Sequence, residues 1–207
     1  MALCCRQLAA RGLIAGRDGN LSVRLGADRV LVTPSGFIKS LVTAADMVEV
    51  DVAGKPRRKS SRKPTSELDL HLCILRHRPD VHAVVHAHPP AATGFAVAGQ
   101  AIPGNLLPEL IFVVGPVPLV PFGMPGTLEL GDRVVPYLEG KHHHALLLAN
   151  HGAVTMGKTL DEAWIRMESL EHAARIITAA RAIGGGEPKP LAAAVVERLE
   201  AQREMDG

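Results

Sequence analysis

The chain reads as an α/β protein built on a mixed, largely antiparallel sheet flanked by helices. Three observations predict this. Short apolar runs bounded by Gly, Pro or Asn recur along the chain and read as strands. Segments with apolar residues at i, i+3, i+4 and i+7 alternate with them and read as helices. The two kinds interleave without the regular spacing of repeated βαβ units, which argues against an all-parallel sheet.

Leu3, Leu8 and Leu13 among Ala and Cys predict a helix over 2–12, ending near Gly12. Leu21–Leu25 and Arg29–Thr33 flank Gly26-Ala27-Asp28 and read as a hairpin. Met47–Val52 is a further strand, closed by the turn Gly54-Lys55-Pro56. Thr65 or Ser66 can cap a helix with Glu67 and Asp69 in its acidic first turn, running to about Arg78 before Pro79. Val81–Ala87 alternates as a strand, and Pro89–Ala98 reads as a short helix. Leu110–Val114 and Val117–Val120 are short, apolar and bounded by Pro or Gly, so they read as buried strands. Thr127–Glu139 is helical up to an interruption at Pro136. Ala145–Ala149 and Ala153–Met156 are strands separated by Asn150-His151-Gly152. Thr159 with Glu162 fits a capping box that opens the clearest helix, carrying Leu160, Ala163, Trp164, Met167, Leu170, Ala174 and Ile177 to about Ala182. A last helix covers roughly Pro190–Arg203.

The 207 residues show no internal repeat or long linker, so residues 1–207 read as a single domain. Hydrophobic residues make up 47% of the chain, which excludes disorder. Lys and Arg exceed Asp and Glu by 23 − 21 = 2, and no charge imbalance points to nucleic acid or a membrane surface. No apolar run approaches the roughly 18–20 residues of a membrane span. Met1–Arg11 does not read as a signal peptide. Cys4, Cys5 and Cys73 are too few, and two of them adjacent, for a disulfide scaffold or a cysteine-built zinc module. Together these features predict a cytoplasmic protein whose metal, if it has one, is held by some of its ten histidines and by carboxylates.

The chemistry concentrates in a few segments. In His86-Ala87-His88, strand residues two apart point to one face, so two imidazoles can reach one ion; the alternative is a surface pair at a strand end. His82 shares their parity but lies about 13 Å from His86 along a strand, too far to share an ion. His151, between Asn150 and Gly152, is an ordinary turn residue or a third ligand from a distant segment, and catalytic zinc commonly keeps three protein ligands. His142-His143-His144 reads as a solvated loop. Glu67 is a first-turn dipole stabiliser or a general base and labile ligand. His71, one helical turn later, could orient Glu67 or fill the core. Gly19-Asn20 and Thr33-Pro34-Ser35-Gly36 are turns whose amides and hydroxyls suit an anion, as does the helix start at Thr65-Ser66. The basic run Lys55, Arg57, Arg58, Lys59, Arg62, Lys63 is a solvated loop or steers an anionic substrate; no aromatics interleave it as a nucleic-acid surface would require.

In order, the stretches GRDGNLSVR (16–24), VLVTPSGF (30–37), KPTSELDLH (63–71), RPDVHAVVHAHPP (78–90) and LLLANHGAVTMG (146–157) resemble the class II aldolase/adducin family, and within it the L-fuculose-1-phosphate aldolase group. ESLEHAAR (168–175) resembles the family's long helix. The resemblance implies a three-layer α/β/α fold around a mostly antiparallel sheet. It implies His86, His88 and His151 as ligands of a divalent metal, normally Zn2+ with Mn2+ or Co2+ as alternatives, and Glu67 as catalytic acid/base. Asn20, Ser35, Gly36, Thr65 and Ser66 fall where the family holds a substrate phosphate.

The implied activity is reversible cleavage of a ketose 1-phosphate into dihydroxyacetone phosphate and an aldehyde through a metal-stabilised enediolate. L-fuculose 1-phosphate and 5-deoxy-pentulose 1-phosphates are the candidate substrates. Family relatives with the same site act as 4-epimerases, dehydratases or decarboxylases, and the adducin head is a non-catalytic module. The implied assembly is a homotetramer with sites at subunit interfaces. One feature departs from the family: the only tyrosine is Tyr137, and the segment after Ile102-Pro103 carries Leu107-Pro108-Glu109-Leu110 where a catalytic tyrosine is expected.

Overall fold

The hairpin and strand signals close into one sheet. In the computed structural model, which describes residues 1–57, 62–141 and 143–206, β1 (Asn20–Gly26) and β2 (Arg29–Val32) form the expected hairpin. β3 (Val48–Val50) pairs with β2. β4 (Ala83–Ala87) lies antiparallel between β1 and β7 (Gly152–Gly157). β6 (Ala145–Leu148) is antiparallel to β7, and β5 (Leu119–Val120) is parallel to β6. The strand order is β3-β2-β1-β4-β7-β6-β5.

The helices are α1 (Ala2–Ala10), α2 (Leu68–His77), α3 (Pro90–Val97), α4 (Leu128–Val134), α5 (Leu160–Gly184) and α6 (Ala193–Asp206). Alternation in β4 explains the layers. Ala83, Val85 and Ala87 face one side with Leu21, Leu147 and Ala153, under Leu8 of α1, Phe95 of α3 and Met167 and Leu170 of α5. Val84 faces the other side with Val32, Leu146 and Val154, under Leu70 and Ile74 of α2 and Leu130 of α4. Both faces being covered, β4, β6 and β7 are buried at every position, and their sequences are nearly continuous apolar runs. This is the three-layer arrangement expected. No described helix is long and apolar enough to cross a membrane.

Several expected boundaries shift for identifiable reasons. Leu110–Val114 is a π-helical turn, not a strand. Its buried residues are Leu110, Ile111 and Val114, a helical spacing that a five-residue apolar run does not distinguish from a strand, and Gly115 closes it at φ 79° with its N–H on Leu110 O. Only Leu119–Val120 of the next run pairs as strand; Pro118, which has no N–H to donate, still offers its carbonyl to Leu147. The helix from Thr127 tightens into a 3-10 turn at Val135–Tyr137, where Pro136 removes a donor. α2 starts one residue later than expected, so Glu67 is its N-cap residue rather than part of its first turn. On α5 only the forward half of the expected capping box forms: Thr159 Oγ1 accepts from Glu162 N–H at 3.1 Å, while Glu162 Oε2 reaches past the N-cap to accept from the N–H of Lys158 at 2.9 Å.

One contact fixes how the chain leaves β4. Glu171 of α5 is buried, and its carboxylate accepts N–H bonds from Ala91 and Ala92 at the start of α3 and a bond from Arg175 at 2.7 Å. It satisfies amides that α3 cannot bond internally, and an anion there complements the helix dipole. Glu171→Ala is expected to cost about 2–3 kcal/mol, because bonds to a charged acceptor are lost and buried donors are orphaned. A thermal melt should fall by roughly 5–10 °C; an unchanged melt would remove this anchor from the account.

Candidate active site

Three imidazoles converge where β4 ends and β7 begins. His86, wholly buried, pairs with Asn20 on β1 and Val154 on β7, and its Nδ1 donates to Ala153 O at 3.0 Å. That bond fixes the tautomer and leaves Nε2 as the free lone pair. His88 lies just past β4, held by its N–H on Leu13 O at 3.1 Å, and brings Nε2 to 3.2 Å from His86 Nε2. His151 enters from the β6–β7 turn. Ring centroids are 5.0 Å (His86–His88), 4.7 Å (His86–His151) and 5.1 Å (His88–His151) apart. One ligand nitrogen from each lies within 4.8 Å of the others.

The turn that delivers His151 depends on its neighbours. Asn150 adopts φ 54°, a left-handed conformation that Asn tolerates better than most residues. A Cβ on Gly152 would lie 2.6 Å from both Ala87 O and His88 Cδ2, so only glycine lets β7 start against the two β4 histidines.

Glu67 closes the cup from the α2 side. Its Oε2 is 3.2 Å from His86 Nε2 and its Oε1 is 3.2 Å from His151 Nε2, while Asn20 Nδ2 donates to Oε2 at 2.8 Å. Burial opposes its charge, but His86, Asn20 and His151 outweigh burial and hold its carboxyl far below the usual carboxylate range. Burial, with His86 second, pushes the His151 imidazole down to about 4 and lowers His88 as well. These shifts favour an ionised carboxylate at Glu67 and uncharged rings at His151 and His88. Glu67 Oε1 is buried yet makes no hydrogen bond among the described residues. Three imidazole nitrogens and one such oxygen in a single cup fit a divalent cation.

The turns singled out for anion binding lie side by side. Pro34 and Pro64 form an isolated bridge, with Ser35 N–H on Lys63 O at 2.9 Å and Thr65 N–H on Thr33 O at 3.0 Å. Ser35, Gly36, Thr65 and Ser66 thus share adjoining turns, the second running directly into Glu67. Asn20 differs: its side chain is turned toward Glu67 and His71. Lys39, only 3% exposed, donates to Arg17 O at 2.9 Å and Phe37 O at 3.2 Å, tying the 16–20 turn to the 33–37 turn. Asp18 Oδ2 is 3.6 Å from His88 Nδ1. Neither Lys39 nor Asp18 was legible in the sequence, since each contacts a turn other than its own.

Other sequence candidates lie elsewhere. His82 is exposed ahead of β4. His143 and His144 precede β6, at the end opposite His151, and both are half-buried rather than solvated; His143 Nδ1 bonds Tyr137 O at 3.0 Å. His142 falls outside the described residues, as do Arg58 and Lys59 of the basic run. Of that run, Arg57 pairs with Asp28 at 2.7 Å, and Arg62 pairs with Asp46 at 2.5 Å while stacking on Phe37. Those pairings neutralise part of the charge expected to steer an anion. Tyr137 donates to Leu119 O at 3.4 Å, and Glu109 is exposed.

Comparison with known proteins finds relatives over most of the chain. Residues 1–178 match the family described as class II aldolase and adducin N-terminal domain. An L-fuculose phosphate aldolase of Methanococcus vannielii is 37% identical over 172 residues, covering 83% of this chain and 90% of that protein. A 5-methylthioribulose-1-phosphate/5-deoxyribulose-1-phosphate aldolase of Rhodospirillum rubrum is 37% identical over 194 residues, covering 94% and 85%. A 3-oxo-tetronate 4-phosphate decarboxylase of Pectobacterium atrosepticum is 34% identical over 171 residues, covering 81% and 77%. Among solved structures, an L-fuculose 1-phosphate aldolase superposes with a TM-score of 0.88 at 28% identity, covering 98% of this chain and 93% of that one.

Proposed function

Because the chain belongs to the class II aldolase and adducin N-terminal domain family, we propose that it is a divalent-metal-dependent aldolase, with zinc the first candidate. Its substrate is a ketose 1-phosphate, either L-fuculose 1-phosphate or a 5-deoxy-pentulose 1-phosphate such as the Rhodospirillum relative's name specifies. The products are dihydroxyacetone phosphate and an aldehyde. The observation that carries this reading is Glu67, an ionised carboxylate held between His86 and His151 and joined through Ser66 and Thr65 to the anion-suited turns.

His86, His88 and His151 would hold the cation. When bound, it supplies Lewis-acid stabilisation of the negative charge that develops on the ketose oxygens. The chain's own groups do the rest. Amides and hydroxyls of Ser35, Gly36, Thr65 and Ser66 grip the phosphate and orient the ketose, with the Asn20 turn alongside. Glu67 moves the proton at the carbon next to the carbonyl, delivering it in cleavage and removing it in condensation.

The test is release of dihydroxyacetone phosphate from a panel of ketose 1-phosphates, with and without a chelator. Chelator-sensitive release from at least one is expected; none from any overturns the reading. A second reading, decarboxylation of a phosphorylated 3-oxo acid, is favoured by the Pectobacterium relative and by Leu107-Pro108-Glu109 where an aldolase tyrosine is expected. Carbon dioxide release from such an acid, without ketose cleavage, would select it.

The proposed assembly is a homotetramer. Phe122, Met124 and Leu128 are exposed on the segment whose Gly126 abuts the Ser66 carbonyl, placing an apolar surface beside the site. Buried free thiols at Cys4, Cys5 and Cys73 accord with a cytoplasmic location.

A further inference from the structure

Behind Glu67 runs a buried chain of three hydrogen bonds. Ser22 Oγ is 2.7 Å from His71 Nδ1, His71 Nε2 is 2.5 Å from Asn20 Oδ1, and Asn20 Nδ2 is 2.8 Å from Glu67 Oε2. Ser22 and His71 are wholly inaccessible, and Asn20 and Glu67 are buried. Strand and helix contribute two members each: Asn20 and Ser22 share a face of β1, and Glu67 and His71 are one turn apart at the start of α2. Four polar side chains in a core are costly unless each is satisfied, so this arrangement needs a reason that apolar packing would not supply.

The hydrogens of the chain have one consistent direction. Asn20 turns its Nδ2 to Glu67 Oε2, a carboxylate oxygen that accepts. Its Oδ1 then faces His71 and needs a donor, which places the imidazole hydrogen on Nε2. A neutral imidazole has no second hydrogen, so Nδ1 accepts from the Ser22 hydroxyl. Burial holds His71 neutral, pushing its imidazole down to about 3. With the opposite tautomer, Asn20 would present oxygen to the carboxylate, and the two would repel.

We propose that Ser22 and His71 are positioning residues that lock the Asn20 amide with Nδ2 toward Glu67, and so hold the carboxylate with one oxygen on His86 and the other on His151. Neither touches the reacting atoms; they act through Asn20. The inference rests on reading Glu67 as the proton-transferring group.

The test combines a spectroscopic and a kinetic readout. Nitrogen-15 NMR of the metal-free protein should show His71 as the Nε2–H tautomer, and Ser22→Ala should loosen that preference. His71→Leu should lower kcat by roughly 10- to 100-fold at matched metal content with KM little changed, the scale expected of a misplaced catalytic group. His71→Gln, whose amide nitrogen can still donate to Asn20 Oδ1, should recover most of the loss. A gain in KM alone, equal impairment of Leu and Gln variants, or an Nδ1–H tautomer would overturn the proposal. Should His71→Leu fail to fold, the Gln and Ser22→Ala variants carry the test. Full activity of Glu67→Gln marks failure of the underlying reading instead, while the tautomer measurement still judges the chain of bonds independently.

Discussion

Glu67→Gln is expected to lower kcat by roughly 10²–10⁴-fold, the contribution typical of a general acid–base group, while the protein keeps its metal. Glutamine matches the side chain in size, and its oxygen can still accept from Asn20 Nδ2 in place of Oε2. It cannot take up or deliver a proton as a carboxylate does. The three imidazoles do not depend on Glu67 for their placement: His86 is fixed by Ala153 O, His88 by the backbone bond to Leu13, and His151 by the tight turn before Gly152. Elemental analysis together with turnover separates the two effects. Wild-type turnover, or loss of metal from the variant, would remove Glu67 from the role of base.

His88→Ala should release the metal and abolish turnover. Removing one of three imidazoles leaves two nitrogens and a carboxylate, so affinity should fall by more than the roughly 10–100-fold that loss of an outer-shell partner costs. His88 suits this test better than His86. It is half-buried and lies beyond the end of β4, whereas His86 is wholly buried and bonded to β7. The metal-free variant should therefore melt close to metal-free wild type, so lost metal is not mistaken for lost fold. Equilibrium dialysis against zinc and a thermal melt read the two quantities. A variant that retains stoichiometric metal and full turnover would dismiss the three-histidine centre.

Much of this site was legible because its parts are local. The two-residue spacing of His86 and His88 declares a shared face, and Asn150-His151-Gly152 declares a turn between two buried strands. That these meet was not local: it follows from the β4–β7 register that sets Ala87 opposite Ala153. The ordered family stretches supplied that pairing indirectly. Ser22 gave no signal, because a serine in a strand looks like any half-exposed position and its partner His71 is 49 residues away. Glu67 read as a first-turn anion, since the difference between N-cap and first turn is a single residue. Leu110–Val114 misled because five apolar residues bounded by Pro and Gly fit a strand and a helical turn equally well; only the burial of Leu110, Ile111 and Val114 on one side of the turn tells them apart.

The imidazoles are carried by, or directly adjoin, strands buried on both faces, while the groups suited to phosphate hang on two turns bridged at Pro34 and Pro64. Such an arrangement separates how the site handles electrons from which molecule it admits. Under the proposed function, exchanges in 33–37 and 63–66 change how the substrate anion is held while the strands beneath stay intact. A library confined to those turns, with Glu67 and the histidines kept, is where a new substrate range for this scaffold should be sought.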